Sequence, residues 1–397
     1  MSEAAARPSG GLTRALVWAV AHAVNDGYPT LYLALLPLLM SRWHFSLGQA
    51  GLLAGLSALT TQALQPLLGS WSDRLGGPWF IVGGLAAGSV GSALGLAWSP
   101  SYAVFAGTLM LAGLGNAAFH PHMAALVRQS APGREGRQTG IWMVSGMIGH
   151  ALAPLAAVAA LRWGGQLGVA ALALPGLAAA ALLLGSARAV PRRPRRPDPS
   201  TSPWAAAWTR GRAFFLMVVL RNLGTASLLT LLPILWHDRG GGLSATGALL
   251  TVVYGAGTVG NLLGGALSDR LGSRVVLAGS LALATVSAAG WALAHGGLVF
   301  WVLVALWGFS VNGAGAVMLV YGQGLFPGRE GMASGLTLGW GNTVGALGAW
   351  GVGELAQSRG VPVAMMAAAV CLAAAIGPAL RVMGRSRGPD GLVPPAG

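Results

Sequence analysis

The chain has 397 residues, of which 54% are hydrophobic and only 9% charged, with 63 glycines. A soluble chain of this length needs a far larger charged surface, so the composition excludes an ordinary soluble protein. The formal charge of +14 comes from 24 basic residues, all arginine, gathered in alternate loops between apolar runs. That distribution speaks against a nucleic-acid binder and for the cytoplasmic faces of a membrane protein.

A helix needs about 20 mostly apolar residues to cross a bilayer. The apolar runs predict twelve spans, near 14–41, 48–71, 78–97, 101–127, 138–161, 166–186, 212–236, 244–267, 273–293, 297–325, 332–356 and 360–382. Placing both termini in the cytoplasm leaves Arg42, Arg162, Arg239 and Arg359 outside and Arg221 within a span. The opening MSEAAARPSGGLTR lacks the apolar core and cleavage site of a signal peptide, so the first span is expected in the mature chain. The single Cys371 excludes an intramolecular disulfide.

Span 1 carries HAVNDGY (22–28), with His22, Asn25 and Asp26. Asp26 lies 12 residues beyond Arg14, about 18 Å along a helix and close to the bilayer midplane. A central Asp costs roughly 2.5–3.5 kcal/mol, less if it is neutral, wet or paired. It is therefore either a proton carrier or a structural acid locked to a polar neighbour. Span 2, LQPLLGSWSDR, leads into GSWSDRLG (69–76), where Asp73 can sit at a helix N-terminus and Arg74 can pair across the same face.

Span 4, GNAAFHPHMAALVR, supplies Asn116, His120 and His122, and span 5, GIWMVSGMIGHALAP, supplies His150. By helical rise, Asp26 and His150 share one depth and His22 and His120 another. Such histidines can relay protons, or bind a transition metal together with Asp26. The usual metal spacing H-x-x-x-H on one helix is absent.

The Pro- and Arg-rich stretch within 186–212 cannot pack a core and reads as a linker on the anionic inner leaflet. Span 7 then carries Arg221 and Asn222. Arg221 can bind a phosphonate, phosphate or carboxylate, act as counter-ion to Asp26, or snorkel to the surface. GALSDRLG (265–272) brings Asp269 and Arg270, and span 10 brings Asn312.

The two halves repeat. A shift of 196 carries Asp73 to Asp269, Pro37 to Pro233, Gln65 to Asn261 and Asn116 to Asn312, and PGREG recurs at 132–136 and 327–331. Two parallel repeats point to a transporter with its site near the midplane. G-x-x-x-D-R-x-G after spans 2 and 8 resembles the signature of the major facilitator superfamily over essentially the whole chain. HAVNDGY, LQPLLGSWSDR, GNAAFHPHMAALVR and LVYGQGLFPGREGMASG narrow the resemblance to the fosmidomycin-resistance family of bacterial drug exporters.

The resemblance implies that spans 1, 4, 7 and 10 line a central cavity. It implies too that Asp73–Arg74 and Asp269–Arg270 latch the cytoplasmic side, with Arg134, Glu135, Arg329 and Glu330 of the PGREG loops as candidate partners. Gly140, Gly149, Ala153 and Pro154 resemble the superfamily's antiporter motif, with Ala153 in place of its last Gly. The chain departs from the family at His122, where a Glu is usual, and at Gly324, where an acid follows Gln323.

The expectation is an all-α polytopic membrane protein with twelve transmembrane helices in two pseudosymmetric six-helix bundles of the major facilitator fold, both termini cytoplasmic. The bundles are 1–187 and 212–397, joined by a linker at 188–211. It would export a small anionic or amphiphilic, fosmidomycin-like molecule by proton antiport with alternating access. Proton coupling is assigned to Asp26 and His150, and substrate binding to His22, Asn25, Asp26, Asn116, His120, His122, Arg221, Asn222 and Asn312. The alternative is a transition-metal or metal-chelate exporter using the His/Asp cluster; a lipid or sugar-phosphate carrier also suits Arg221. No nucleophile–base pair or phosphate loop points to an enzyme. No cofactor, resident metal or nucleic acid is expected. The partners are substrate, protons and the lipid of a bacterial cytoplasmic (inner) membrane, for a monomer.

Overall fold

A computed structural model describes residues 11–68, 71, 78–129, 135–188, 204–294, 296–325 and 335–382. Among them every regular element is helical and no strand occurs. Helix α1 (Gly11–Gly27) is followed by short 3₁₀ turns at Tyr28–Thr30 and Leu33–Leu35, then α2 (Leu36–Trp43). After α3 (Leu47–Ala58) comes a π-helical stretch, Leu59–Ala63. Four longer helices complete the first half: α4 (Trp79–Trp98), α5 (Tyr102–Gln129), α6 (Glu135–Ala171) and α7 (Ala173–Arg188). The second half holds α8 (Trp204–Asp238), α9 (Leu243–Leu271), α10 (Ser273–Leu293), α11 (Gly297–Gly313) and α12 (Gly315–Gly324). A second π-helical stretch, Gly335–Trp340, precedes α13 (Gly341–Arg359) and α14 (Val361–Leu380).

Among the described residues eight helices are long and apolar enough to cross a membrane by length and composition. The first span is not the single helix expected for 14–41. It unwinds directly after Asp26, because Pro29 and Pro37 cannot continue the α-helical hydrogen bonds. Leu31 and Leu35 instead donate to the carbonyls of Tyr28 and Tyr32, and the Thr30 hydroxyl takes the Gly27 carbonyl at 2.9 Å. The expected break near 161–166 is a turn at Gly165, whose φ of 56° and ψ of −142° suit glycine alone. At the second half, helix already runs from Trp204, within the stretch 188–211 expected as linker.

Local signals explain other boundaries. Ser46 caps α3 with a reciprocal pair: Gln49 N–H donates to Ser46 Oγ at 3.1 Å and Ser46 N–H to Gln49 Oε1 at 2.8 Å. Side chains such as Trp163, Leu298 and Leu167 stand exposed on the outer surface. Such a surface is at home in lipid tails, where no water has to be excluded.

In the first half α1 lies against α6 and α7, and α4 against α5 and α7. In the second, α8 lies against α13 and α14, α9 against α11, and α10 against α11 and α14. The two largest pairings between the halves are α3 with α13, and α6 with α9. The repeat shift carries α3 to α9 and α13 back to α6, so it exchanges these two seams. The first seam is polar in places. Asn342 Nδ2 donates to Gln62 Oε1 at 2.7 Å, Thr343 Oγ1 to the Ala58 carbonyl at 3.2 Å, and Leu47 N–H to Gln357 Oε1 at 3.3 Å. On the second, an Arg162 Nη1 donates to Ser244 Oγ and Gly247 packs beside the Pro154 carbonyl.

Candidate functional site: a histidine-bound carboxylate and a buried guanidinium

His22 and Asp26 are four residues apart on α1 and so share one face. The His22 Nε2 stands 3.1 Å from Asp26 Oδ2, and His120 Nε2 of α5 stands 3.0 Å from Oδ1. The two imidazole nitrogens are 3.3 Å apart. Asn25 Nδ2 donates to Asp26 Oδ1 at 3.1 Å. His150 of α6 reaches only the rim, its Nδ1 3.9 Å from Asp26 Oδ2 and 3.0 Å from the Gly146 carbonyl. Asp26 is 8% exposed and His22 3%, so the carboxylate and its own-helix histidine are buried among the helices of the first half, while His120 and His150 are half-buried.

The far nitrogens of the two central rings are held by backbone. His22 Nδ1 lies 2.6 Å from the Trp142 carbonyl and His120 Nδ1 3.0 Å from the Asn116 carbonyl. A carbonyl oxygen only accepts, so each Nδ1 carries a hydrogen. Each Nε2 is then a bare lone pair or the second N–H of an imidazolium. A neutral ring would set its lone pair against a carboxylate oxygen; the contacts become hydrogen bonds only when a proton lies in them.

Packing locks the ring planes. His22 stacks on the Trp142 indole with centroids 3.7 Å apart and planes at 10°, and faces Phe119 at 6.2 Å on its other side. Gly146 makes room: a Cβ there would run into Asp26 Oδ2 and His22 Cε1. A Cβ at Gly149 would strike the Ala23 carbonyl. These small residues of span 5 therefore close α6 onto α1 within one half, while Pro154 lies on the seam with α9.

The second half holds the complementary charge. Arg221 on α8 is 8% exposed; one Nη donates to Asn222 Oδ1 at 2.7 Å and the other to the Val311 carbonyl of α11. Its Nε and the Asn222 Nδ2 have no hydrogen-bond partner, and no described carboxylate pairs with the guanidinium. The expected alternative of an Arg221–Asp26 ion pair is thus not formed, since the histidines already hold Asp26. The repeat shift of 196 superposes Asn25 on Arg221 and Asp26 on Asn222, so each half pairs one asparagine with one charged residue, an anion in the first half and a cation in the second, at adjacent rather than equivalent positions.

Other expected residues separate. His122 is buried on α5 but stands outside the Asp26 group, because two residues along a helix turn it about 200° from His120. Asn116 Nδ2 reaches the Asn25 carbonyl at 3.5 Å, whereas Asn312 Nδ2 bonds its own helix at the Gly308 carbonyl, 3.0 Å away. The repeated pair therefore shares a position but not a contact. Asp269 and Arg270 lie exposed at the end of α9 and form no ion pair among the described residues. Asp73, Arg74, Arg134, Arg329 and Glu330 lie outside the described residues.

Sequence reasoning missed Trp142, Phe119 and the Gln62–Asn342 pair. A helical stripe of Trp142, Gly146 and His150, each four residues on, was the available signal for the first. It missed too that Tyr254 of α9 approaches His150, ring centroids 5.5 Å apart, carrying the site toward the other half.

Comparison with known proteins agrees with this architecture. A family model described as the Major Facilitator Superfamily matches residues 18–349. The chain is 29% identical over 370 residues to the fosmidomycin resistance protein of Escherichia coli (strain K12), covering 90% of this chain and 89% of that one. It is also 29% identical over 377 residues to the MFS-type transporter YfnC of Bacillus subtilis (strain 168), covering 89% of each. Among solved structures, a bacterial homolog of the human lysosomal transporter Spinster, inward-facing and occupied, superposes with a TM-score of 0.79 at 16% identity, covering 94% of this chain and 97% of that one. The nucleoside transporter NupG gives 0.73 at 14% identity, covering 93% and 99%.

Proposed function

The chain belongs to the major facilitator superfamily of transporters, and from that premise we propose that it exports a small anionic or amphiphilic molecule in exchange for protons. The observation that carries this reading is the buried Asp26 carboxylate set against two imidazole nitrogens at 3.0 and 3.1 Å. That arrangement is cohesive with a proton in it and repulsive without one, so losing a proton favours a rearrangement of α1, α5 and α6. A charge crossing 100 mV supplies about 2.3 kcal/mol, enough for a modest gradient per proton.

The substrate would meet Arg221 and Asn222, whose spare donors suit a phosphonate, phosphate or carboxylate. Similarity to the Escherichia coli fosmidomycin resistance protein favours a fosmidomycin-like phosphonate. The helices are read as twelve spans in two six-helix bundles, 1–187 and 212–397, with both termini cytoplasmic in a bacterial inner membrane. The seam exchange under the repeat shift supports the two-bundle reading. Contacts at Arg162–Ser244 and Leu47–Gln357 tie the two halves together at the ends read as outer, which supports a state closed on that side in an alternating-access cycle.

The test is accumulation of labelled fosmidomycin in efflux-deficient bacteria expressing the protein, with and without a protonophore. Lower accumulation, abolished by the protonophore, is expected. Unchanged accumulation in cells with well-expressed protein overturns the phosphonate assignment.

A further inference from the structure

We propose that His22, Asp26 and His120 form a binding site for a divalent transition-metal cation of the Zn²⁺ class. The three side chains offer ligand atoms that all lie within 4.8 Å of one another. The two Nε2 atoms are 3.3 Å apart, and each has an Asp26 oxygen at 3.1 or 3.0 Å. Each Nε2 meets a different oxygen of Asp26, and these spacings are close to the about 3.3 Å between neighbouring ligands of a tetrahedral ion with bonds of about 2.05 Å, so a small turn of the carboxylate would offer one oxygen to an ion held by both rings.

The surroundings are those of a ligand set. A metal-binding histidine commonly donates its other N–H to a backbone carbonyl, and both rings do so here, to Trp142 and Asn116. The carboxylate is held in turn by the Asn25 amide at 3.1 Å. Trp142 and Phe119 clamp the His22 ring, and Gly146 leaves no Cβ to obstruct the approach. Asn25 Oδ1, fully buried beside this set, has no hydrogen-bond partner of its own.

Donor chemistry selects the ion. Two imidazoles and one carboxylate suit Zn²⁺, Co²⁺ or Ni²⁺, whereas Mg²⁺ and Ca²⁺ need cages of six or more oxygens. Three protein ligands leave a coordination position open, since His150 Nδ1 is turned to the Gly146 carbonyl. The signal escapes a one-helix motif because the ligands come from α1 and α5.

The site does not rest on the proton-coupling reading, and its test is binding rather than transport. Untagged protein, purified in detergent, is titrated with Co²⁺ and followed by its visible absorption, then challenged with Zn²⁺, Mg²⁺ and Ca²⁺. The expected result is the intense band of a four-coordinate nitrogen–oxygen centre, displaced by Zn²⁺ but by neither Mg²⁺ nor Ca²⁺. His120→Gln should weaken binding at least about tenfold, while His150→Ala and the exposed His44→Gln leave it unchanged. Thermal melting of the wild-type protein with and without Zn²⁺ needs no variant, and a rise in Tm is expected. No Co²⁺ band and no rise in Tm, or equal binding in folded His120→Gln, overturns the site.

Discussion

A carboxylate in an apolar helix persists only with partners, and Asp26 has His22, His120 and Asn25 within hydrogen-bond distance. With the proton carried in that group, Asp26→Asn should abolish protonophore-sensitive efflux and leave substrate exchange intact. Active efflux equal to wild type in the variant would end the assignment. Arg221 belongs to the other half of the same argument. A buried guanidinium whose Nε is unpartnered is costly at rest and repaid by an anionic ligand. Truncation to Ala removes charge-assisted hydrogen bonds of about 1.5–3 kcal/mol. Binding of anionic substrates should therefore weaken roughly ten- to hundredfold, and neutral ones far less. Equal losses for both, measured by exchange in proteoliposomes, would make Arg221 structural. Both residues were legible in the sequence, because a charge inside an apolar run is conspicuous. Their partners were not, since His120 and Val311 approach only when helices pack.

At the scale of the element, the interruptions matter more than the helices. The 3₁₀ turns after Asp26 follow from Pro29 and Pro37, and they place a soft segment next to the carboxylate. The π-helical stretches at 59–63 and 335–340 lie against one another on the seam between halves. Thr60 and Thr61 there return their hydroxyls to the Leu56 and Ser57 carbonyls. Proline positions announced the first interruption, whereas no residue pattern announced the π stretches. Gly165 gives this scale its prediction. An Ala at φ 56° and ψ −142° is strained by about 1–3 kcal/mol. Gly165→Ala should lower the melting temperature of the purified protein while leaving affinity for substrate unchanged. An unaltered melting temperature would mean that the α6 turn relaxes at no cost.

For the whole molecule, the contacts that hold the halves together are concentrated in two seams, and those seams must open in turn for alternating access. Arg162 and Ser244 touch across one of them. In a Cys371→Ala background, a reducible bifunctional thiol reagent bridging Arg162→Cys and Ser244→Cys, long enough to replace the span of the arginine side chain, should arrest export, with recovery on reduction. Full export by the cross-linked protein would show that this end never separates. The repeat was legible from Asp73/Asp269 and Asn116/Asn312, yet equivalence of position did not carry equivalence of contact.

Composition and repetition alone determined the membrane class, the helical character and the family, because a bilayer admits few solutions and apolar runs record them directly. They also picked out Asp26, His22, His120 and Arg221, since desolvation makes each polar residue in such a run exceptional. Only the tertiary structure decided which of these meet. It set His120 rather than Arg221 against Asp26, turned His122 away and brought Trp142 onto His22. The reason is geometric: interhelical contacts depend on the rotation and close approach of helices, set here by glycines such as Gly146 and Gly149, and no spacing along one chain encodes the distance between two.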